Sequence, residues 1–263
     1  MILHTCTKIN VGLRVLRRRP DGYHDLDTLF VPYYGYGDLL EVEPADSLGI
    51  SIERAEGVDW DPMQDLTIKA WRLLKADFPQ LPEVSIRLSK HAPVGAGLGG
   101  GSADAAYMLR ALNSIGNLGL DDAALAAYAA RLGSDCAFFV YSRPMLGSGR
   151  GEVLEAFDID LSGCEIRVGI PLDGSGKPVA VSTREAYAGI TPREYAPGEP
   201  SLAESLRRPL REWKGLVVND FEASVCPRHP EIPELIARFY SEGALYAAMS
   251  GSGSSVFGIF AKD

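Results

Sequence analysis

The chain has 263 residues, 46% of them hydrophobic and 23% charged, with a formal net charge of −9. Such a balance supports one large or two modest globular lobes and excludes a disordered or fibrous chain, and the acidic excess argues against a nucleic-acid partner. No apolar stretch reaches the length of a membrane span and no leader-like pattern opens the chain; with Cys6, Cys136, Cys164 and Cys226 forming no C-x-x-C pair, a reduced, cytoplasmic protein without a zinc site is expected.

Residues 2–13 have the β-branched content of a strand, with Lys8 and Asn10 as polar residues inside it, and a turn follows at Arg19-Pro20-Asp21-Gly22. Strands are expected at 27–31, 38–42 and 50–52, and a helix over 65–77 with Leu66, Ala70, Leu73 and Leu74 on one face. Residues 84–88 alternate as a strand into a glycine-rich stretch at 93–106. Two helices follow, the second ending at Gly133 as its C-cap, with Asp135 just past that cap and an apolar run at 137–141. Beyond about residue 150 the spacing predicts a strand at 164–170, a short helix near 183–187, a Pro-rich loop at 192–200, helices over 201–212 and 231–241, and strands at 244–249 and 255–260. A boundary is expected between 142 and 165, giving lobes 1–150 and 151–263, with an exchange of strands between them left open.

The stretch Pro93-Val-Gly95-Ala-Gly97-Leu98-Gly99-Gly100-Gly101-Ser102 carries the plainest chemistry. Glycines let the backbone curl around an anion, and a following helix adds free amides and the positive end of its dipole. Three patterns compete with the plain reading of a mobile loop. Gly95, Gly97 and Gly100 satisfy G-x-G-x-x-G, but the acid about twenty residues on, Asp121, opens a helix instead of ending a strand. A Walker loop needs a lysine before its Ser or Thr, and Ser102 directly follows Gly101; the nearest upstream lysine is Lys90. The third pattern, Pro-x-x-x-Gly-Leu-Gly-x-Gly-Ser followed by alanines, resembles the phosphate loop of the GHMP small-molecule kinases.

A kinase acting on an alcohol needs a phosphate cradle, charge neutralisation and a group that orients or deprotonates the hydroxyl. The amides of 97–101 and Ser102 suit the cradle. Mg²⁺ is expected between the phosphates, its protein ligands unassigned. Asp135 suits the third role, and its spacing equally suits an ordinary helix cap. Lys8 inside a strand calls for an anionic partner if it faces inward, or for snorkelling if the strand is an edge. The cluster Arg14, Arg17, Arg18 and Arg19 fits either a solvated turn or a phosphate contact.

Thr7-Lys8-Ile9-Asn10-Val11-Gly12-Leu13, followed by Arg19-Pro20-Asp21-Gly22-Tyr23-His24-Asp25-Leu26-Asp27-Thr28, resembles the N-terminal signature of one GHMP branch, the 4-diphosphocytidyl-2-C-methylerythritol kinases. The small-residue run 249–257 and the stretches 149–152 and 219–222 extend the likeness over essentially the whole chain. The resemblance implies a two-lobed α+β fold, with an N-terminal lobe like domain 2 of ribosomal protein S5 and a ferredoxin-like C-terminal lobe. It implies ATP-dependent phosphorylation of the 2-hydroxyl of a cytidine diphosphate sugar alcohol, on the non-mevalonate route to isoprenoid precursors. Lys8 and Asp135 become the catalytic pair. Pro93, Gly95, Gly97, Leu98, Gly99, Gly100, Gly101 and Ser102 hold ATP, and Asn10, Tyr23, His24, Thr183 and Tyr187 hold the acceptor. Tyr187 also fits simple packing on the apolar face of its helix. Where relatives commonly have Asn-Leu near the nucleotide base this chain has Asp65-Leu66, and it ends at Asp263 where many add a helix and strand. The implied partner is the small-molecule substrate, and the implied state a monomer or weak homodimer. Other GHMP alcohol kinases, of the homoserine or mevalonate type, and a non-catalytic nucleotide-binding regulator are the competing readings.

Overall fold

The computed structural model describes residues 1–54 and 58–262. They form two compact units that interleave along the chain: residues 1–8, 32–94 and 99–143 in the first, and 9–31, 95–98 and the chain from 144 onward in the second. One break between the units falls after Arg143, and residues 9–31 and 95–98 group with the C-terminal part.

In the first unit, strands β1 (Ile2–His4), β4 (Leu39–Pro44), β5 (Gly49–Glu53) and β6 (Val84–Ser89) form a sheet in the order β1-β4-β6-β5. Only β5 and β6 are parallel. Parallel neighbours need a crossover, and helix α1 (Leu66–Asp77) supplies it. Helices α2 (Gly100–Ile115), α3 (Asp122–Leu132) and α4 (Cys136–Tyr141) complete the unit, with α1, α3 and α4 packed on α2. Ala103, Ala105, Ala106 and Ala111 of α2 are fully buried, and such small side chains let the neighbouring helices come close. Asp121 caps α3 by accepting from Ala124 N, in a helix start and not at a strand end.

The second unit holds two sheets. One runs β2-β3-β7-β8, from β2 (Thr7–Arg18), β3 (His24–Tyr33), β7 (Met145–Gly149) and β8 (Val153–Ala156); the first two residues of β2 and the last two of β3 belong to the first unit. The other runs β10-β11-β9, from β9 (Cys164–Gly169), β10 (Tyr246–Met249) and β11 (Val256–Ala261). Helices α5 (Thr183–Ala188), α6 (Leu202–Leu206), α7 (Phe221–Val225) and α8 (Glu231–Ser241) accompany them. A core cluster joins Leu13 and Val15 of β2, Phe221 and Val225 of α7, Ile232 and Phe239 of α8, and Met249, Val256 and Phe260 of the second sheet.

Three expectations change here. Within the region 142–165 the sequence reading left out a hairpin, β7–β8, with β7 paired antiparallel to β3. Its glycines conceal it: a Cβ at Gly147 would run into the Phe30 ring, so glycine permits the close approach that a strand-forming residue would block. The helix expected over 201–212 stops at Leu206 and resumes as a single 3₁₀ turn at Leu210–Glu212, because Pro209 cannot continue the ladder. Helix α7 escaped the reading altogether, since five residues are too few to show a helical period.

Candidate active site

Lys8 is only 3% exposed, and its Nζ lies 3.5 Å from Asp135 Oδ2. Asp135 stands at the N-cap position of α4 yet accepts no hydrogen bond from that helix, so the capping role open to it on spacing is not taken up. A third of its side chain, 34%, stays exposed, which leaves the carboxylate reachable by a second group.

The same unit brings the helical end of the glycine stretch to this pair. Gly99, at φ +73°, is the N-cap of α2, and an added Cβ would sit 3.3 Å from Lys8 Cε and 3.1 Å from the Phe139 ring. The missing side chain thus lets the helix terminus close over the lysine. Ala103 N donates to Gly99 O at 2.9 Å as the first intrahelical bond, so the amides of Gly100, Gly101 and Ser102 lack helical acceptors and form the positive end of the helix dipole. Ser102 hydrogen-bonds the Cys136 thiol, which burial pushes up to about 12, so the thiol stays protonated. Pro93, half-buried, opens the loop.

In the second unit Gly95 and Gly97 have φ of +70° and +77°. A Cβ at Gly97 would stand 2.5 Å from Ser250 O and 2.8 Å from Gly253 O, so this loop residue packs directly on the turn between β10 and β11. Leu98, 1% exposed, is an anchor whose side chain faces the interior. Ser250 Oγ accepts from Asn10 N at 3.2 Å and donates to Gly97 O at 3.3 Å. Asn219 holds that turn by donating to Met249 O and Gly251 O at 2.8 and 2.9 Å. Asn10 Nδ2 in turn donates to Thr28 Oγ1 at 3.0 Å. Sequence reading missed Ser250 and Asn219 as positioning groups, because their motifs lie thirty-odd residues apart and only the fold makes them meet.

Gly22, at φ +86°, closes the turn that sets up Tyr23 and His24, with Arg19 N donating to Tyr23 O at 2.8 Å and Tyr23 N to Asp21 Oδ1 at 3.1 Å. His24 lies flat on Tyr187, centroids 4.8 Å apart and planes within 21°. Burial, assisted by the Arg18 charge, holds His24 below the ordinary histidine range, so its ring is neutral at pH 7. Tyr187 also meets Phe221 edge-on at 4.8 Å and belongs to the rim of the core, so the packing role its helix allows is realised. Tyr23 is 55% exposed with the Arg150 guanidinium 5.0 Å from its ring centroid, a contact that gives the 149–152 stretch a local role. Thr183 Oγ1 lies 3.4 Å from Ser252 Oγ, beside the serine turn.

The basic cluster is largely neutralised within the chain: Arg14 pairs with Glu199 and Asp220, and Arg17 and Arg19 with Asp25. Asp65 likewise serves its own helix. Its carboxylate accepts from Thr67 N, Thr67 Oγ1 and Trp60 Nε1 at 2.8, 2.7 and 3.1 Å, an acceptor-only role that suits an ionised side chain.

The family models for the GHMP kinases N-terminal domain and the GHMP kinases C-terminal domain match residues 65–143 and 202–263. A 4-diphosphocytidyl-2-C-methyl-D-erythritol kinase of Bacteroides fragilis is 46% identical, covering 100% of this chain and 93% of that protein. One of Bacteroides thetaiotaomicron is 44% identical over 99% and 92%. The chain belongs to the 4-diphosphocytidyl-2-C-methyl-D-erythritol kinase family. A crystal structure of a 4-(cytidine 5'-diphospho)-2C-methyl-D-erythritol kinase superimposes with a TM-score of 0.76 at 32% identity, covering 98% of this chain and 90% of that one. A homoserine kinase from Cytophaga hutchinsonii, 17% identical, shares the fold with a TM-score of 0.68 over 98% and 86%. The mixed α+β GHMP fold is therefore that of this family member too. The two general GHMP matches contain the helical end of the glycine loop, Asp135, Asn219 and the serine turn; Lys8, Tyr23, His24, Thr183 and Tyr187 all lie outside them.

Proposed function

We propose that this small-molecule kinase transfers the γ-phosphoryl group of ATP to the 2-hydroxyl of 4-diphosphocytidyl-2-C-methyl-D-erythritol. The observation that carries the reading is the Lys8–Asp135 pair beside Gly99, at the positive end of α2. In this reading the amides at the start of α2 and of the glycine loop take the phosphate oxygens, as helix N-termini do. Asp135 accepts the hydrogen bond of the acceptor hydroxyl, orients its oxygen along the line of the γ-phosphorus, and receives the proton as the new O–P bond forms and the bond to ADP breaks. Lys8 keeps Asp135 fixed and balances the negative charge that gathers on the acceptor oxygen. His24 and Tyr187 supply aromatic surface and a neutral ring nitrogen for the cytosine, with Tyr23 and Thr183 at hand for further contacts.

Mg²⁺ would come to the site carried largely by the phosphates and water, the ligands this ion keeps in nucleotide sites. Asp135 and Ser102 would be its protein contacts, and the ion would neutralise phosphate charge. No helix among the described residues is long and apolar enough to cross a membrane.

The test is a coupled assay of ADP release by the purified protein with the cytidylyl methylerythritol, homoserine or mevalonate as acceptor. Release with the first alone is expected, and turnover of another alcohol in its place would overturn the assignment.

A further inference from the structure

The chemistry above leaves one buried charged cluster in the first unit unused. Lys90, the lysine upstream of the glycine loop, is 7% exposed, and Asp38 and Asp104 are 2% exposed. Lys90 Nζ donates to Asp38 Oδ2 and, at 2.7 Å, to Asp104 Oδ2. The other Asp38 oxygen accepts from His91 N and Ala92 N at 2.6 and 2.8 Å, so Asp38 holds the three residues that lead into Pro93. Asp104 lies on the first turns of α2, just beyond the loop. A Cβ on Gly100 would stand 3.5 Å from Asp38 Oδ2 and 3.8 Å from Lys90 Nζ, which puts the cluster directly beneath the start of α2. Thr5 joins it: Asp38 N donates to Thr5 Oγ1 at 2.9 Å, and Thr5 Oγ1 to Asp104 Oδ1 at 3.3 Å. Lys8 follows three residues later.

We propose that Lys90, gripped by Asp38 and Asp104, clamps the entrance and exit of the glycine loop together and sets its opening for the nucleotide phosphates. Asp38, Lys90 and Asp104 are positioning residues that touch neither substrate. Burying three ionisable groups together is a poor source of net stability, since desolvation consumes most of what the contacts return. What the cluster does supply is direction. Each carboxylate oxygen holds a named donor or pair of donors, and the stretch the cluster spans is rich in glycine, the residue with the most backbone freedom to lose on ordering. A cradle built from such a stretch binds phosphate tightly only if its ends are fixed beforehand. The link to Thr5 ties the segment that carries Lys8 to the same clamp.

The inference rests on the kinase reading, and its test separates the two. Asp104→Ala cuts the exit of the clamp and leaves Lys90 balanced by Asp38, whereas Asp104→Asn keeps an acceptor for Lys90. ATP affinity is measured by calorimetry without acceptor, then KM for ATP and for the acceptor in the assay above, all at temperatures where circular dichroism shows each variant folded. Asp104→Ala is expected to weaken ATP binding by about 10- to 100-fold and to leave the acceptor KM nearly unchanged, with Asp104→Asn recovering most of the loss. A lowered melting temperature with ATP affinity unchanged overturns the clamp, as does an equal rise in both KM values. If the wild type binds ATP but ignores the cytidylyl substrate, the kinase assignment fails while the calorimetric comparison still decides the clamp.

Discussion

The Lys8 ammonium stands 3.5 Å from the Asp135 carboxylate, and that carboxylate, although placed to cap α4, makes no bond to its own helix. Asp135 is thus held from one side and open on another. Asp135→Ala is expected to lower kcat by about 10²–10⁴-fold, the usual contribution of a positioned acid–base group, with ATP affinity largely kept. Pre-steady-state turnover and a direct ATP titration check this; parallel losses in both would place Asp135 in the phosphate cradle instead.

His24 and Tyr187 form a second test, on the acceptor side. Replacing Tyr187 by Leu keeps an apolar contact to Phe221 but removes the stacked ring. A stacked aromatic pair is worth up to about 1.5 kcal/mol, so the acceptor KM should rise about tenfold while the ATP KM stays put. An unchanged acceptor KM would reduce Tyr187 to a core residue.

Two of the left-handed glycines of the loop, Gly95 and Gly97, should respond unequally. Alanine at Gly95, where φ is +70° and a Cβ meets nothing within 4 Å, should cost about 1–2 kcal/mol from backbone strain alone. Alanine at Gly97 adds a collision with the Ser250 and Gly253 carbonyls, and should cost a further 1–3 kcal/mol or so while displacing the loop. Denaturant midpoints of the two variants give the comparison, and equal losses would mean the turn yields freely.

Asp104 predicts a pH dependence. Burial pushes its carboxyl from 3.8 up to about 7, against the attraction of Lys90 and together with the nearby charges of Asp38 and Asp65. The unfolded chain releases this proton near 3.8 and the folded protein keeps it to about 7, so between those values the native state binds more protons. Stability from this group therefore falls as pH rises through that window and is flat above it. The stability of the wild type relative to Asp104→Asn should decline between about pH 4 and pH 7, read from urea midpoints. A gap that widens with pH would show Asp104 ionised throughout.

The sequence by itself determined the local parts. Five glycines leading into an alanine-rich helix allow few readings other than a cradle at a helix start, because backbone freedom and helical period are properties of neighbouring residues. The strands at β6 and β9 and the helices α1 and α8 were legible for the same reason. Tyr23 and His24 were legible through their turn, whose Asp-Gly pair is a local necessity. Only the tertiary structure decided what these parts meet. Lys8 finds Asp135 across more than a hundred residues, Ser250 links Asn10 to Gly97, and Lys90 closes the loop through Asp38 and Asp104. Gly147 lets β7 fit against Phe30, and Asp135 makes no cap bond to its helix while it faces Lys8. Such outcomes depend on close packing and on pairing of buried charge between distant segments, and neither leaves a periodic trace along the chain.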